Sequence, residues 1–391
     1  MKILFLTYYF EPDLSAGSFR NTSLFEELKE KISENDNIEV ITTKPNRYDS
    51  YKVKVNGYEE IESNIIINRI EIPNHENGLI GQIRSFKVFY LKTLKIVSSK
   101  KYDIVYASSS RLFTAYLGAK IAKKKNAQLY LDIRDIFRES IVEIFKNKII
   151  KFFLDLSLRP IEYITFGRAN HINLVSKGFA SYFEKYKNCS KSYFTNGIDH
   201  VFLEKQEVHL TNLVANKPKK IMYAGNIGEG QGLDLIIPHA ALQLSNEYQF
   251  IIFGDGGAKQ ELIDKIDALN VKNVFIHDPV DRKTLIEEYE KADFLFLHLN
   301  KYKAFERVLP SKIFEYSTFN KPIIAGVGGY AGSFLREEME NVILFVPGDI
   351  ESLVRQLSDF QYCTLHRSSF LEKFSRKSIN KGMVESILAV K

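Results

Sequence analysis

The sequence predicts an α/β chain made of two doubly wound, parallel-sheet halves. Three observations carry that expectation. Short, continuous apolar runs alternate with helical stretches along the whole chain, the pattern of strands buried on both faces. The pattern starts twice, with "KILFLTYYF" at Lys2 and again with "KIMYAGN" at Lys220. The length of 391 residues suits two domains of roughly 200 residues each.

In the first half the expected strands are "KILFLTYYF", "NIEVITT", "NIIINRIEI", "YDIVYAS", "AQLYLDIRD" and "HINLVS", with "SYFTNGI" closing the half. Helices are expected at "SFRNTSLFEELKEKI", over about 80–100, up to about 125, and as a long aromatic helix or pair over about 138–169. The second half repeats the scheme through "KIMYAGN", "YQFIIFGDG", "NVFIHDPV", "DFLFLHL", "KPIIAGV" and "NVILFVP", each followed by a helix, and ends in a helix pair over about 350–391. The segment near 198–218 has few core-like residues and reads as the linker. Two open sheets of this kind would set their strand C-terminal loops around one cleft, where small ligands bind.

Composition excludes several classes. No apolar run approaches the ~18 residues of a membrane span, and "MKILFLTYYFEPD" is too short in its apolar part for a secretory signal. The two cysteines, Cys189 and Cys363, have no metal-like spacing and read as reduced thiols of a cytoplasmic protein. There is no Asp-x-Asp pair, no P-loop, no nucleophile elbow and no His/Cys cluster, and so no metal site is expected. Charge is uneven: residues 81–191 hold 22 basic and 8 acidic residues, a net +14. That excess asks for an anionic partner such as a membrane surface. The helix Ile83–Lys101 carries six basic residues and no acidic one, and "IVEIFKNKIIKFFLDLSLRP" is also rich in Phe, Ile and Lys. Both fit either an anionic bilayer or a core-packed helix with a basic outer face. Nucleic acid is not expected, because the aromatics recur at helical core spacing and not on strand platforms.

Candidate chemistry lies in the loops after strands. "YAGNIGEGQGLD" (Tyr223–Asp234) and "FGDGG" (Phe253–Gly257) can aim backbone N–H groups at a phosphate, or exist because the chain turns tightly there. Neither loop carries a cation. Lys312, in the first turn of the helix opened by Pro310 and Ser311, opposes the helix dipole unless an anion lies near it. With Arg307 it could supply the missing charge, or it could be a solvated lysine. Glu315 shares its face and could accept ribose hydroxyls or pair with Lys312. In the first half, the turn "EPDLSAGSFRN" has one glycine, Gly17, and Ser18 reads as a helix N-cap or N1 residue. Asp132, Arg134 and Asp135 end a buried strand, as a structural ion pair or as a site for acid, base or hydroxyl recognition.

In this order the segments "SAGSFRN", "LDIRDIFRES", "TNGID", "YAGNIGEGQGL", "FGDGG" and "LPSKIFEY" resemble the retaining glycosyltransferases of the GT-B group (glycosyl transferase group 1, family 4 type). They are especially similar to bacterial O-antigen and capsule enzymes such as N-acetyl-L-fucosamine transferases. The resemblance implies two Rossmann-like domains facing a central cleft, at 1–200 (with helix 371–391 packing back on it) and 201–370. It implies transfer of a sugar from a UDP-sugar to a lipid-linked or oligosaccharide acceptor, often a sugar on polyprenyl diphosphate. It also implies a peripheral position at the inner face of the cytoplasmic membrane, with no cofactor or metal. Donor contacts are expected from Gly225, Asn226, Gly230, Gln231, Gly254, Asp255, Gly256, Val280, Ser311, Lys312 and Glu315. Acceptor contacts are expected from Gly17, Ser18 and Arg20, and catalytic roles for Asp132, Arg134, Asp135, Arg307 and Lys312. The chain departs from the family where Asn226 and Gln231 replace an Arg and a Lys, and where Arg307 replaces a Glu. A nucleotide-sugar epimerase on the same two-domain plan and a non-catalytic binding protein are the rival readings.

Overall fold

The structure is a computed structural model that describes residues 1–47, 53–73, 79–109, 112–144, 147–204 and 218–390. The chain divides into two compact units, Met1–Gly197 with Arg376–Lys391, and Ile198–Ser375. Part of the expected linker, 205–217, lies outside the described residues.

The first unit holds strands β1 (Lys2–Leu6), β2 (Asn37–Thr43), β3 (Tyr58–Glu62), β4 (Ile65–Ile70), β5 (Ile104–Ser108), β6 (Gln128–Ile133), β7 (His171–Leu174) and β8 (Ser190–Ser192). Its helices are α1 (Ala16–Lys31), α2 (Leu79–Ile96), α3 (Leu112–Lys125), α4 (Phe137–Ile144), α5 (Lys148–Gly167) and α6 (Ala180–Phe183). The sheet runs β3-β4-β2-β1-β5-β6-β7-β8, parallel except for the antiparallel pair β3/β4. The polar "YEEIE" of β3 gave no strand signal; it is an edge strand with mostly exposed side chains. The strand expected at "SYFTNGI" falls earlier in the chain, as β8. Strand order reverses between β1 and β5, so the loops after these two strands flank a topological switch point.

The second unit holds α7 (His200–Leu203), β9 (Lys219–Asn226), α8 (Leu233–Gln243), β10 (Tyr248–Asp255), α9 (Lys259–Ala268), β11 (Val274–His277), α10 (Arg282–Lys291) and β12 (Phe294–His298). It continues through α11 (Lys312–Tyr316), β13 (Ile323–Gly326), α12 (Gly329–Glu338), β14 (Val342–Phe345), α13 (Ile350–Asp359) and α14 (Ser368–Lys373). Its sheet is parallel throughout, in the order β11-β10-β9-β12-β13-β14. This is the Rossmann order, with its switch point between β9 and β12. The β9/β12 ladder holds just Phe294↔Ile221 and Leu295↔Met222. Beyond it the two strands no longer pair, at the point where this strand order has its ligand crevice.

The last element, α15 (Arg376–Leu388), belongs to the first unit. Its Met383, Val384 and Ile387 are fully buried in the core that contains Phe5, Leu24, Leu28 and Tyr130. The expected terminal helix pair is thus three helices, α13, α14 and α15, the last in a different unit from the first two. In α2, Phe89 is buried, as is Val97 directly after the helix, and Phe86 lies in an aromatic cluster with Tyr8 and Phe89. Most of the helix's aromatic content therefore goes into the core.

Candidate functional site

The second unit's site is built on the switch point. Gly225, next to last in β9, has φ +143°. A Cβ there would collide with Lys312 Nζ and lie 2.9 Å from its Cε. The glycine therefore lets the Lys312 amine come down onto the strand end. Nζ also stands 5.3 Å from the centroid of the Tyr223 ring, and the Tyr223 hydroxyl donates to Asn226 O at 2.6 Å. Among the described residues Lys312 makes no hydrogen bond or ion pair. Burial pulls its pKa below the usual lysine range, partly opposed by Glu315. A desolvated cation with unfilled donors, at the first position of a short helix, is an anion-binding group.

The glycine loop is held from three sides. Gln231 Oε1 accepts from Asn226 Nδ2 at 2.7 Å and from Gly228 N at 3.3 Å. The two positions where the family has cations are thus a neutral pair that closes the loop on itself. After β12, Asn300 N donates to Gly230 O at 2.8 Å, Asn300 Nδ2 to Glu229 O at 3.0 Å, and the Tyr302 hydroxyl to Glu229 Oε1 at 2.8 Å. Below the loop, His298 Nε2 accepts from Gly348 N at 3.0 Å, so Nδ1 carries the proton and donates to Gln231 O at 2.6 Å. Burial lowers the His298 pKa, against a smaller opposite pull from Gln231 O and Asp234. Asn300 and Tyr302 carried no functional expectation. The available signal was the polar "NKY" directly after a buried strand.

"FGDGG" has a packing role. A Cβ on Gly254 would run into Gly225 O, and one on Gly256 (φ +151°) would come 2.5 Å from Ile227 O. Ile227 N donates to Asp255 O at 2.8 Å, and Asp255 Oδ1 accepts from Gly256 N at 2.8 Å. This second glycine turn supports the first at close range. Val280 is half-buried just before Asp281, the N-cap of α10. Ser311 precedes α11 and makes no side-chain cap bond. Arg307 ends a 3₁₀ turn, Lys303–Arg307, whose Glu306 backbone rests on Gly329 (φ +50°) at the start of α12.

In the first unit, the register pairs Asp132 of β6 with Asn173 of β7. Asp132 is fully buried. Its carboxylate accepts from Arg20 Nε at 2.9 Å, Arg20 Nη2 at 3.1 Å, Asn173 Nδ2 at 2.7 Å and the Tyr106 hydroxyl at 3.3 Å. Burial alone would raise its pKa, but the charge and hydrogen bonds of Arg20 outweigh that and hold it below the usual range. Arg20, also fully buried, donates further to Thr195 O and Phe194 O. Both side chains are thereby committed within the fold, whereas the sequence reading gave them acceptor and catalytic contacts. The structural ion pair is present, with Arg20 and not Arg134 as its cation.

Arg134 is different. Its Nη1 is buried with no hydrogen-bond partner, and a Cβ on Gly17 would stand 3.1 Å from it. Burial and the neighbouring Arg20 bring its pKa down to about 10. The N-cap of α1 is Ser15, which accepts from Ser18 N at 3.1 Å. This corrects the expectation for Ser18, a third-position residue whose buried hydroxyl has no partner. Asp135 Oδ1 accepts from Ser140 Oγ at 2.8 Å, and burial raises its pKa. The structure thus brings Gly17 and Arg134 together in the first unit, and Gly225 and Lys312 in the second. Among the described residues, no group of three or more His, Cys, Asp or Glu side chains could hold a metal ion.

Two parallel-sheet Rossmann-like units with a desolvated lysine at the switch point of the second define a class, and residues 204–376 match the family described as glycosyl transferases group 1. The chain is a glycosyltransferase with the GT-B fold. Over its whole length it is similar to Anabaena Alr3699/HepE, solved in complex with UDP-glucose, at 16% identity and a TM-score of 0.69, with 100% of each chain covered. It is also similar to the lipopolysaccharide outer core galactosyltransferase WaaB, at 14% identity and TM-score 0.62, covering 100% of this chain and 99% of that one. A third likeness is the Burkholderia xenovorans α,α-trehalose-phosphate synthase (UDP-forming), at 9% identity and TM-score 0.67, with full coverage of both chains. No curated protein matches the chain in sequence.

Proposed function

We propose that the protein transfers a sugar, such as an N-acetylated deoxyhexosamine, from a UDP-sugar to a lipid-linked or oligosaccharide acceptor in bacterial surface polysaccharide synthesis. The proposed reaction is retaining and needs no metal. The observation that carries the donor assignment is the unpartnered, desolvated Lys312 amine resting on Gly225 at the switch point. The UDP and UDP-glucose complexes of Alr3699/HepE support the choice of nucleotide.

In this reading the bond between the anomeric carbon and the β-phosphate oxygen breaks as the acceptor oxygen forms the new one. The acceptor proton passes to the departing phosphate. Lys312 and the N–H groups of the glycine loop stabilise the leaving UDP, Arg307 adds charge, and Glu315 accepts ribose hydroxyls. Arg134, beside Gly17, is the first unit's candidate for holding the acceptor. The basic first unit associates with an anionic membrane at its cytoplasmic face.

The test is calorimetric titration with UDP in EDTA, followed by turnover assays. Lys312→Ala is expected to weaken UDP binding and to cut turnover at least ~100-fold, by analogy with the ~2–4 kcal/mol of a lost oxyanion donor. UDP binding and turnover at wild-type levels in a folded Lys312→Ala protein would remove Lys312 from the site.

A further inference from the structure

Helix α5 is polarised the wrong way round for a helix of a water-soluble domain. A surface helix usually turns its apolar stripe inward and its charges out. Here the inward positions are Leu158, Glu162, Thr165 and Phe166, and Arg138 ties down both of the helix's acids, Asp155 and Glu162. The outward positions are Ile149, Phe152, Phe153, Leu156, Tyr163 and Ile164, all exposed. Phe152 and Phe153 are each 63% exposed and Tyr163 is 72% exposed. At 100° per residue these six fall within a single arc about 120° wide. A contiguous apolar patch of this kind marks an interaction surface.

We infer that this outward face of α5 is a membrane-docking surface that embeds in the headgroup region of an anionic bilayer. The inference deepens the membrane association proposed above, rests on it, and concerns a surface apart from the donor site. Charge selects the occupant. Glu162 is held by Arg138, and Asp155 is shared between Arg138 and Arg159, so the helix presents Lys148 at the border of the stripe, beside the paired Arg159, within a segment of net +14. Two copies meeting through this face would bring like charges together, whereas anionic headgroups neutralise them. Five charged residues in 20 positions exclude a span, and no described helix is long and apolar enough to cross a membrane. A helix with this composition lies in the interface plane. Tyr163 can keep its hydroxyl among headgroups while its ring is buried. Helix α2 is a poorer candidate: among its side chains whose burial is described, Ile83 and Leu91 are the large apolar ones exposed, and its aromatic residues serve the core.

The test is flotation of the full chain with phosphatidylcholine vesicles, with and without phosphatidylglycerol. The wild type is expected to float with the anionic vesicles and to remain partly bound at high salt, because apolar insertion is not screened. Phe152→Asp/Phe153→Asp is expected to lower the bound fraction at least tenfold while UDP binding stays at the wild-type level, which separates this surface from the donor site. The chain contains no tryptophan, so Phe152→Trp is a single reporter, and its emission is expected to shift to the blue on anionic vesicles. A double variant that floats like the wild type would leave membrane association standing and overturn the role of α5. So would an unshifted Trp emission. Complete release by salt would overturn insertion. A wild type that ignores vesicles but forms a dimer, lost in the double variant, would reassign the face to a second copy.

Discussion

At the scale of single residues, charge burial separates architecture from chemistry. Asp132 and Arg20 satisfy each other and bond further to Asn173, Tyr106, Thr195, Phe194 and Met383, and a saturated ion pair of this sort acts on stability. Asp132→Asn leaves Arg20 buried without its counter-charge. It is expected to cost about 3–5 kcal/mol, measured by urea denaturation, with no specific loss of UDP affinity in the protein that remains folded. Lys312 and Arg134 are half-buried cations of the opposite kind, with donors left over. The sequence shows the residue types at all four positions. It does not show which pairs are saturated, because Arg20 and Asp132 lie 112 residues apart and their meeting depends on sheet order. "LDIRD" offered Arg134 as the nearer partner for Asp132, and local spacing could not reveal that the partner arrives from α1.

At the scale of elements, the glycine turns and α11 work as one device. Gly225 has no Cβ because Lys312 occupies that space, and Gly254 has none because the carbonyl of Gly225 does. Gly225→Ala is expected to displace the amine and weaken UDP binding as far as Lys312→Ala does. The double variant should then lose little more, since coupled neighbours are not additive. Additive losses in calorimetry would show that the two residues act separately. The strands were legible because parallel strands buried on both faces read as unbroken apolar runs. The β3 edge was not legible, because an exposed edge strand needs no apolar pattern. The neutral bond between Asn226 and Gln231 was also beyond reach. The sequence shows that two cations are missing, but not that their replacements hold each other.

At the scale of the whole molecule, the chain builds one unit from two separate pieces. Val384 of α15 is fully buried in the core of the first unit. Val384→Asp places a charge there and is expected to cost about 4 kcal/mol. In scanning calorimetry the transition of the first unit should fall while that of Ile198–Ser375 holds its temperature. A fall of both together would mean that the units unfold as one. The repeat of strand pattern predicted two sheets, yet the return of α15 has no local signature, since its apolar residues would suit either unit.

This return sets an order of events in synthesis. Helix α15 leaves the ribosome only after every residue of the second unit. At ~5–20 residues per second, the apolar surface that it covers on β1 and α1 waits on the order of 10–40 s for its last partner. The nascent chain therefore passes through a stage in which the later-made unit can be finished while the earlier-made one is still open. Chaperone capture in that interval should be directed at the α1 surface.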